Sequence, residues 1–136
     1  LEEVGVQRYK IGSGDAANPL LLERVARTGK EVILSTGLGS LEELDAATAM
    51  LQARGNAYAV LQCTTRYPTA PEDVGLAWLS RFRERYRCPV GLSDHSGTIY
   101  AGLGAVALGA VAVEAHVTFD RRMFGPDARA SLTVDE

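Results

Sequence analysis

The chain has little of what marks several common protein classes. Only two cysteines, Cys63 and Cys88, occur in 136 residues. They are too few for a disulfide framework and too widely spaced for a zinc knuckle or redox pair, so a reduced, cytoplasmic protein is expected. Cationic excess is also missing: 14 Lys+Arg stand against 17 Asp+Glu, a net charge of −3, which gives no electrostatic footprint for nucleic acid. The longest charge-free apolar stretch, Ile99 to Val113, is broken by Gly102, Gly104 and Gly109. It falls short of the roughly 20 residues of a bilayer span, so no membrane helix is expected. Leu1-Glu2-Glu3-Val4 has no basic segment, apolar segment or initiator Met, so the reading is no signal peptide and a start inside a longer gene. With 46% hydrophobic and 23% charged residues, the composition suits one ordinary globular domain.

What is present is an alternation of short β-branched runs and longer helical patterns. Strands are expected at Tyr9–Ile11, Glu31–Gly37, Tyr58–Thr65, Pro89–His95 and Ala110–Val117. Asn18 before Pro19 is a helix start, with Leu21, Leu22, Val25 and Ala26 on one face and Gly29 as the stop. Ser40-Leu41-Glu42-Glu43 is a capping box, followed by Leu41, Leu44, Thr48 and Leu51 at helical spacing until Gly55-Asn56. Val74, Trp78, Leu79, Phe82 and Tyr86 form a third stripe, with Arg81, Arg83, Glu84 and Arg85 toward water. A Gly/Ala-rich helix follows from about Thr98 to Leu108. The order is βαβαβαβαβ, and strands joined by crossover helices run parallel. The fold class is therefore α/β. The strand ends Ser13, Ser35, Thr64, Ser93 and Glu114 recur about every 21 to 29 residues, as repeated units of a (β/α) barrel or of a doubly wound sheet require. No Gly-x-Gly-x-x-Gly follows the first strand, which disfavours dinucleotide binding.

In such folds chemistry collects at the carboxyl ends of the strands. The two histidines, His95 and His116, stand at the ends of the fourth and fifth strands and could share one divalent cation with positions left open for substrate. The alternative is two unrelated histidines, one bonded to a backbone carbonyl and one in a loop. Ser13, Ser35, Thr65 and Ser93 with Lys10 suit a phosphate or carboxylate; singly, each satisfies a turn or snorkels. Alternation puts Glu114 and His116 on one face of their strand, where Glu114 either orients a substrate or pairs with Lys10. Cys63, with no histidine near it in sequence, reads as a buried thiol. The arginines from Arg81 to Arg87 read as a solvated face.

Six segments in order, Lys10-Ile11-Gly12-Ser13-Gly14-Asp15, Leu34-Ser35-Thr36-Gly37, Gln62-Cys63-Thr64-Thr65-Arg66-Tyr67-Pro68, Gly91-Leu92-Ser93-Asp94-His95-Ser96, Glu114-Ala115-His116-Val117-Thr118-Phe119-Asp120 and Gly125-Pro126-Asp127, resemble the sialic acid synthase family. That family includes legionaminic and pseudaminic acid synthases and spore-coat polysaccharide proteins. The resemblance implies a TIM barrel that condenses phosphoenolpyruvate with an N-acetylated amino-sugar aldehyde resembling N-acetylmannosamine. It implies that His95 and His116 hold a divalent metal, Mn²⁺ first, with Mg²⁺ or Co²⁺ as alternatives. Lys10, Ser13, Ser35 and Ser93 would grip phosphoenolpyruvate, with Thr65 among the substrate-binding residues. Tyr67, Glu114 and Asp127 would meet the sugar, and Asp15 would lie beside the enolpyruvyl group. A homodimer is implied for the full-length protein.

Four positions depart from the commonest pattern of that family: Thr65 where some members have Asn, Gln62 where His is frequent, Ala115 where Lys is usual, and Ala128 where His often follows Gly-Pro-Asp. The family's barrel has eight strands in about 250 residues or more. The five strands here align with the fourth to the eighth, so residues 1–136 are expected to be part of a synthase catalytic domain, inactive when isolated, with bare edges and an uncovered inner face. The competing functions are another phosphoenolpyruvate-dependent sugar-acid synthase, a metal aldolase, or a non-catalytic metal- or anion-binding barrel piece.

Overall fold

Two side-chain caps fix where the first helices begin. In the computed structural model, which describes residues 1–136, Asn18 Oδ1 accepts the Leu21 amide at 3.2 Å and α1 runs Pro19–Ala26. Ser40 Oγ accepts the Glu43 amide at 3.2 Å while Glu43 Oε2 accepts the Ser40 amide at 2.8 Å, a complete capping box that opens α2, Leu41–Ala53. Such a cap contributes about 1 kcal/mol. The chain divides into two units, Leu1–Val60 and Leu61–Glu136.

In the first unit β1 (Arg8–Ile11) lies parallel to β2 (Glu31–Ser35), with Ile11 opposite Leu34. The Val32 amide donates to Ala57 O at 3.0 Å, just before β3 (Tyr58–Cys63), which starts in this unit and ends in the next. Leu22, Val25, Val32, Leu34, Leu44 and Leu51 are buried, so the helical stripes and the strands share a core. Helix α1 stops at Ala26, three residues before Gly29, which takes a left-handed φ of +69° beyond the cap.

The second unit continues with α3 (Trp78–Tyr86), β4 (Val90–Asp94), α4 (Ile99–Ala107), β5 (Val113–Thr118) and β6 (Ser131–Thr133). Each strand lies beside its neighbour in sequence, β4 and β5 parallel and β5 and β6 parallel. The sixth strand corrects the five-strand reading. At three residues, after a Gly-Pro-Asp turn, it is too short to show alternation, and only pairing with β5 reveals it. On α3, Leu79, Phe82 and Tyr86 are buried, the spacing expected of an amphipathic helix. The exposed arginines of this helix have local work: Arg81 stacks over the Trp78 ring at 4.8 Å, and Arg83 Nη2 donates to Leu108 O and Gly109 O at 3.2 and 2.9 Å. The latter bonds satisfy carbonyls left open at the end of α4.

Strand β5 is polar and half-buried on one face (Glu114, His116, Thr118) and exposed on the other (Val113, Ala115, Val117). Val117 is 69% exposed and Leu103 of α4 is 62% exposed, so the uncovered apolar face is the one opposite the histidine.

Gly91, buried in β4, has no room for a side chain. A Cβ there would lie 2.4 Å from the Ala112 carbonyl oxygen and 2.6 Å from Leu61 Cδ2. Gly91→Ala should therefore destabilise the protein by about 2 kcal/mol, read as a lower urea midpoint. An unchanged midpoint would contradict this strand packing.

Candidate active site

The second unit gathers aromatic and imidazole rings where β3, β4 and β5 end. His95 follows Asp94, the last residue of β4, and is 5% exposed. Its Nδ1 lies 3.1 Å from Thr64 O. A carbonyl can only accept, so Nδ1 carries a proton, and in the neutral imidazole Nε2 presents the lone pair. The Tyr67 hydroxyl, 3.1 Å from that Nε2, donates to it. The Tyr67 and His95 rings are 4.2 Å apart between centroids, the His95 and His116 rings 5.2 Å, and the Tyr67 and His116 rings 5.8 Å, edge to face. Asp127 Oδ2 stands 3.7 Å from His116 Nδ1. Burial first, and then the charges that Cys63, Asp127 and Glu114 carry at the high pH where a phenol ionises, push the Tyr67 phenol above its ordinary pKa. Tyr67 thus keeps the proton it donates through the neutral range.

Parallel pairing explains the next contact. Ser93 and Glu114 are register partners, and Ser93 Oγ lies 2.7 Å from Glu114 Oε1. Because an ionised carboxylate only accepts, the serine donates. Ser93 therefore addresses Glu114 here, and its oxygen retains only acceptor capacity.

The sequence-predicted residues thus divide. Tyr67, His95, His116 and Asp127 come together, and Ser93 joins Glu114. Thr65 is exposed in the loop after β3, its Oγ1 4.0 Å from Cys63 Sγ. In the first unit Lys10 is the penultimate residue of β1, Ser13 and Asp15 lie in the following turn, and Ser35 ends β2. Ser35 is 2% exposed and its Oγ has no hydrogen-bond partner. A buried hydroxyl left unpaired costs about 1 to 3 kcal/mol.

The structure adds detail to the sequence reading at two residues. Cys63 is buried, as expected, but its Sγ is 3.9 Å from His95 Nδ1; the histidine absent from its sequence neighbourhood is supplied by β4. The Nδ1 proton is directed to Thr64 O, so the imidazole is not a base for the thiol. Ala115 is next to His116 in sequence yet on the exposed face of β5, so its small side chain removes nothing from the polar face.

Other supporting residues carried no sequence signal strong enough to single them out. Asp94, 5% exposed, accepts the Ser96 amide and hydroxyl, each at 2.9 Å, and turns the chain after β4. The spacing Asp94-x-Ser96 ahead of a helix was its available signature. Arg121 donates from Nε to Ser131 O at 3.1 Å and from Nη2 to Gly97 O at 2.6 Å, and also pairs with Glu136. It ties the segment that follows β4 to the start of β6 and to the residue Glu136 beyond it.

The donor set fits a divalent cation in part. No group of three or more His, Cys, Asp or Glu side chains is gathered around one point. Two imidazoles, their ring centroids 5.2 Å apart, are the nitrogen donors that would hold such an ion, with its other positions left to water or substrate.

A profile of the NeuB family matches residues 1–136. The chain is 39% identical, over its whole length, to N,N′-diacetyllegionaminic acid synthase of Campylobacter jejuni, covering 42% of that protein. It is 36% identical to human N-acetylneuraminate-9-phosphate synthase, again over its whole length and covering 38% of that protein. Among solved structures, the N-acetylneuraminic acid synthetase of Leptospira borgpetersenii, crystallised with citrate, superposes with a TM-score of 0.94 at 38% identity, covering all of this chain and 48% of that one. The chain spans about two fifths of the length of the curated relatives it matches. No helix is long and apolar enough to cross a membrane.

The Arg121 clamp gives a pH signature. Glu136, held by Arg121 and by the Thr133 amide and hydroxyl, has its pKa lowered from 4.5 to about 2. A carboxyl whose folded pKa is depressed supports the fold above its ordinary value, and that support fades as pH falls from 4.5 toward 2. An NMR titration of the Glu136 carboxyl should give a midpoint near 2. A midpoint at the ordinary value would show that the clamp does not form in solution.

Proposed function

The chain belongs to the NeuB family, and we propose from this premise that it supplies strand-end residues of a TIM-barrel synthase. The proposed reaction joins phosphoenolpyruvate to an N-acetylated amino-sugar aldehyde, giving a nonulosonic acid and phosphate. The observation that carries this reading is the convergence of His95, His116, Tyr67 and Asp127 at the ends of neighbouring strands.

In this reading His95 and His116 hold a divalent cation, Mn²⁺ first among candidates. When bound, the cation supplies Lewis acidity toward the sugar's carbonyl oxygen. Lys10, Ser13 and Ser35 receive the anionic groups of phosphoenolpyruvate, Lys10 through charge and the serines as donors. Asp15 stands beside the enolpyruvyl group. Tyr67 and Asp127 meet the open-chain sugar, and Glu114 is oriented toward it by Ser93. The new bond forms between C3 of phosphoenolpyruvate and the aldehyde carbon, whose oxygen becomes a hydroxyl. Water then adds at C2, and the C2–O bond to phosphate breaks, leaving a ketone. Residues that position reactants and stabilise the developing charge supply most of the rate acceleration.

Protein expressed from the complete gene should release inorganic phosphate from phosphoenolpyruvate only when an N-acetylated amino sugar such as N-acetylmannosamine is added. Absence of release across a panel of such sugars would overturn the proposal. In the active enzyme Ser35→Ala should raise the KM for phosphoenolpyruvate about 10-fold, the loss of one hydrogen bond to a charged group. An effect confined to the sugar KM would remove Ser35 from this role. His95→Ala should abolish Mn²⁺ binding in an electron paramagnetic resonance titration; retained affinity would remove it as a ligand.

A further inference from the structure

We infer that Thr69 is a positioning residue that sets the orientation and tautomer of His95 from behind the ring. Its functional consequence rests on the reading of His95 as a metal- and substrate-facing residue, although the geometry stands independently.

The segment after β3 must cross from the end of β3 to the end of β4 while carrying Tyr67 and the Thr64 carbonyl. Those two groups are the partners of His95 Nε2 and Nδ1. Tyr67 is 43% exposed and Arg66 and Pro68 are exposed as well, so this segment has little apolar burial to hold it. Thr69 is the exception, at 5% exposure. Its amide donates to the His95 backbone carbonyl at 2.9 Å. Its Oγ1 lies 2.7 Å from Arg66 O and 3.3 Å from Thr64 O. A single hydroxyl proton is therefore shared, mainly to Arg66 O, between carbonyls of the loop that bears both partners of the imidazole.

The resulting arrangement is a closed circuit. Thr69 grips the main chain of His95 with its amide and the Thr64–Arg66 turn with its hydroxyl, and the Thr64 carbonyl receives the His95 Nδ1 proton. Displacing the turn would lengthen the Nδ1–H···O bond, and the ring could then protonate at Nε2 instead. That would remove the lone pair on the open side. The Arg66 amide also donates to Thr64 O at 2.9 Å, a bond within the turn that does not reach the His95 main chain. The Arg66–Asp73 ion pair has side-chain exposures of 65% and 39%, and pairs so exposed contribute little. Thr64 Oγ1 donates to Asp73 O at 2.7 Å, which fixes the hydroxyl side of Thr64 but does not contact His95. Only Thr69 bonds to both ends of the circuit. Partners behind a metal-facing histidine typically change metal affinity 10- to 100-fold when lost.

The test uses protein from the complete gene and two readouts. The first is the ¹⁵N spectrum of the His95 ring without metal, at about pH 8.5, where an ordinary imidazole is neutral. The wild type should show Nδ1 protonated and Nε2 bare; the opposite tautomer in the wild type would overturn the inference without any variant. Thr69→Val, which keeps the amide and removes the hydroxyl, should show a mixture of tautomers, whereas Thr69→Ser should retain the wild-type spectrum. The second readout is Mn²⁺ affinity, expected to fall about 10-fold in Thr69→Val and to stay near wild type in Thr69→Ser. Thr48→Val provides the control for loss of a buried hydroxyl: Thr48 is 3% exposed and bonds to Leu44 O within α2, so its loss should change neither readout. A Thr69→Val protein with a single wild-type tautomer and unchanged Mn²⁺ affinity would overturn the inference, as would equal effects in Thr69→Ser and Thr69→Val. If the wild type binds no Mn²⁺, the metal reading fails separately, and the tautomer still decides the role of Thr69.

Discussion

The hydrogen bond from His95 Nδ1 to the Thr64 carbonyl is the constraint on which the rest of the cluster depends. A carbonyl has no proton to give, so the bond fixes both the direction of the ring and the location of its free lone pair. With the lone pair on Nε2, Tyr67 must act as the donor, and its raised pKa keeps it able to do so. The same lone pair can serve either the phenol or a cation, but not both in line. In the opposite tautomer Tyr67 would have to accept from Nε2–H, and the bare Nδ1 would face the Thr64 carbonyl, two acceptors with no proton between them. The chemistry available at this strand end is thus set by a backbone atom.

The parallel ladder provides the other half of the arrangement. Register puts Ser93 opposite Glu114 and His116 opposite Ser131, and the pleat turns Glu114, His116 and Thr118 to one face. Seen this way, β5 is sorted by period rather than by composition: its polar residues are half-buried and its valines exposed. A shift of one residue would exchange these faces and remove both His116 and Glu114 from the site. Gly91 protects that register, because the close approach of β4 to Ala112 leaves no room for a Cβ.

Much of this was legible in the sequence because it depends on local rules. Asn18 before Pro19 and the Ser40–Glu43 box state where helices begin, and both caps form. The separation of Glu114 from His116 by one residue states that they share a face, and the strand order states that two histidines end on neighbouring strands. What was not legible depends on backbone atoms or on distant pairing. Thr64 contributes a carbonyl, which every residue has, and Thr69 acts through contacts set by a fold-dependent loop path. Cys63 acquires His95 as a neighbour across 32 positions. Strand β6 is defined by its partner and has too few residues to define itself.

The departures from the commonest family pattern sort by the same geometry. Ala115 lies on the exposed face of β5, so a long cationic side chain at that position would project away from His116 and Glu114. Its loss therefore changes the outer surface and leaves the polar face intact. Gln62 is different: it is buried, and its Nε2 donates to Val74 O at 3.2 Å, closing the far end of the loop that carries Tyr67. An imidazole there has a shorter reach and would have to hold that carbonyl from another position, so Gln62 belongs to the support of the loop. Ala128, buried directly after Asp127, leaves the carboxylate that faces His116 without an adjacent ring. Variation at residues 62 and 128 thus falls on how Tyr67 and Asp127 are presented, whereas the Thr64–His95 bond needs no particular side chain at either position.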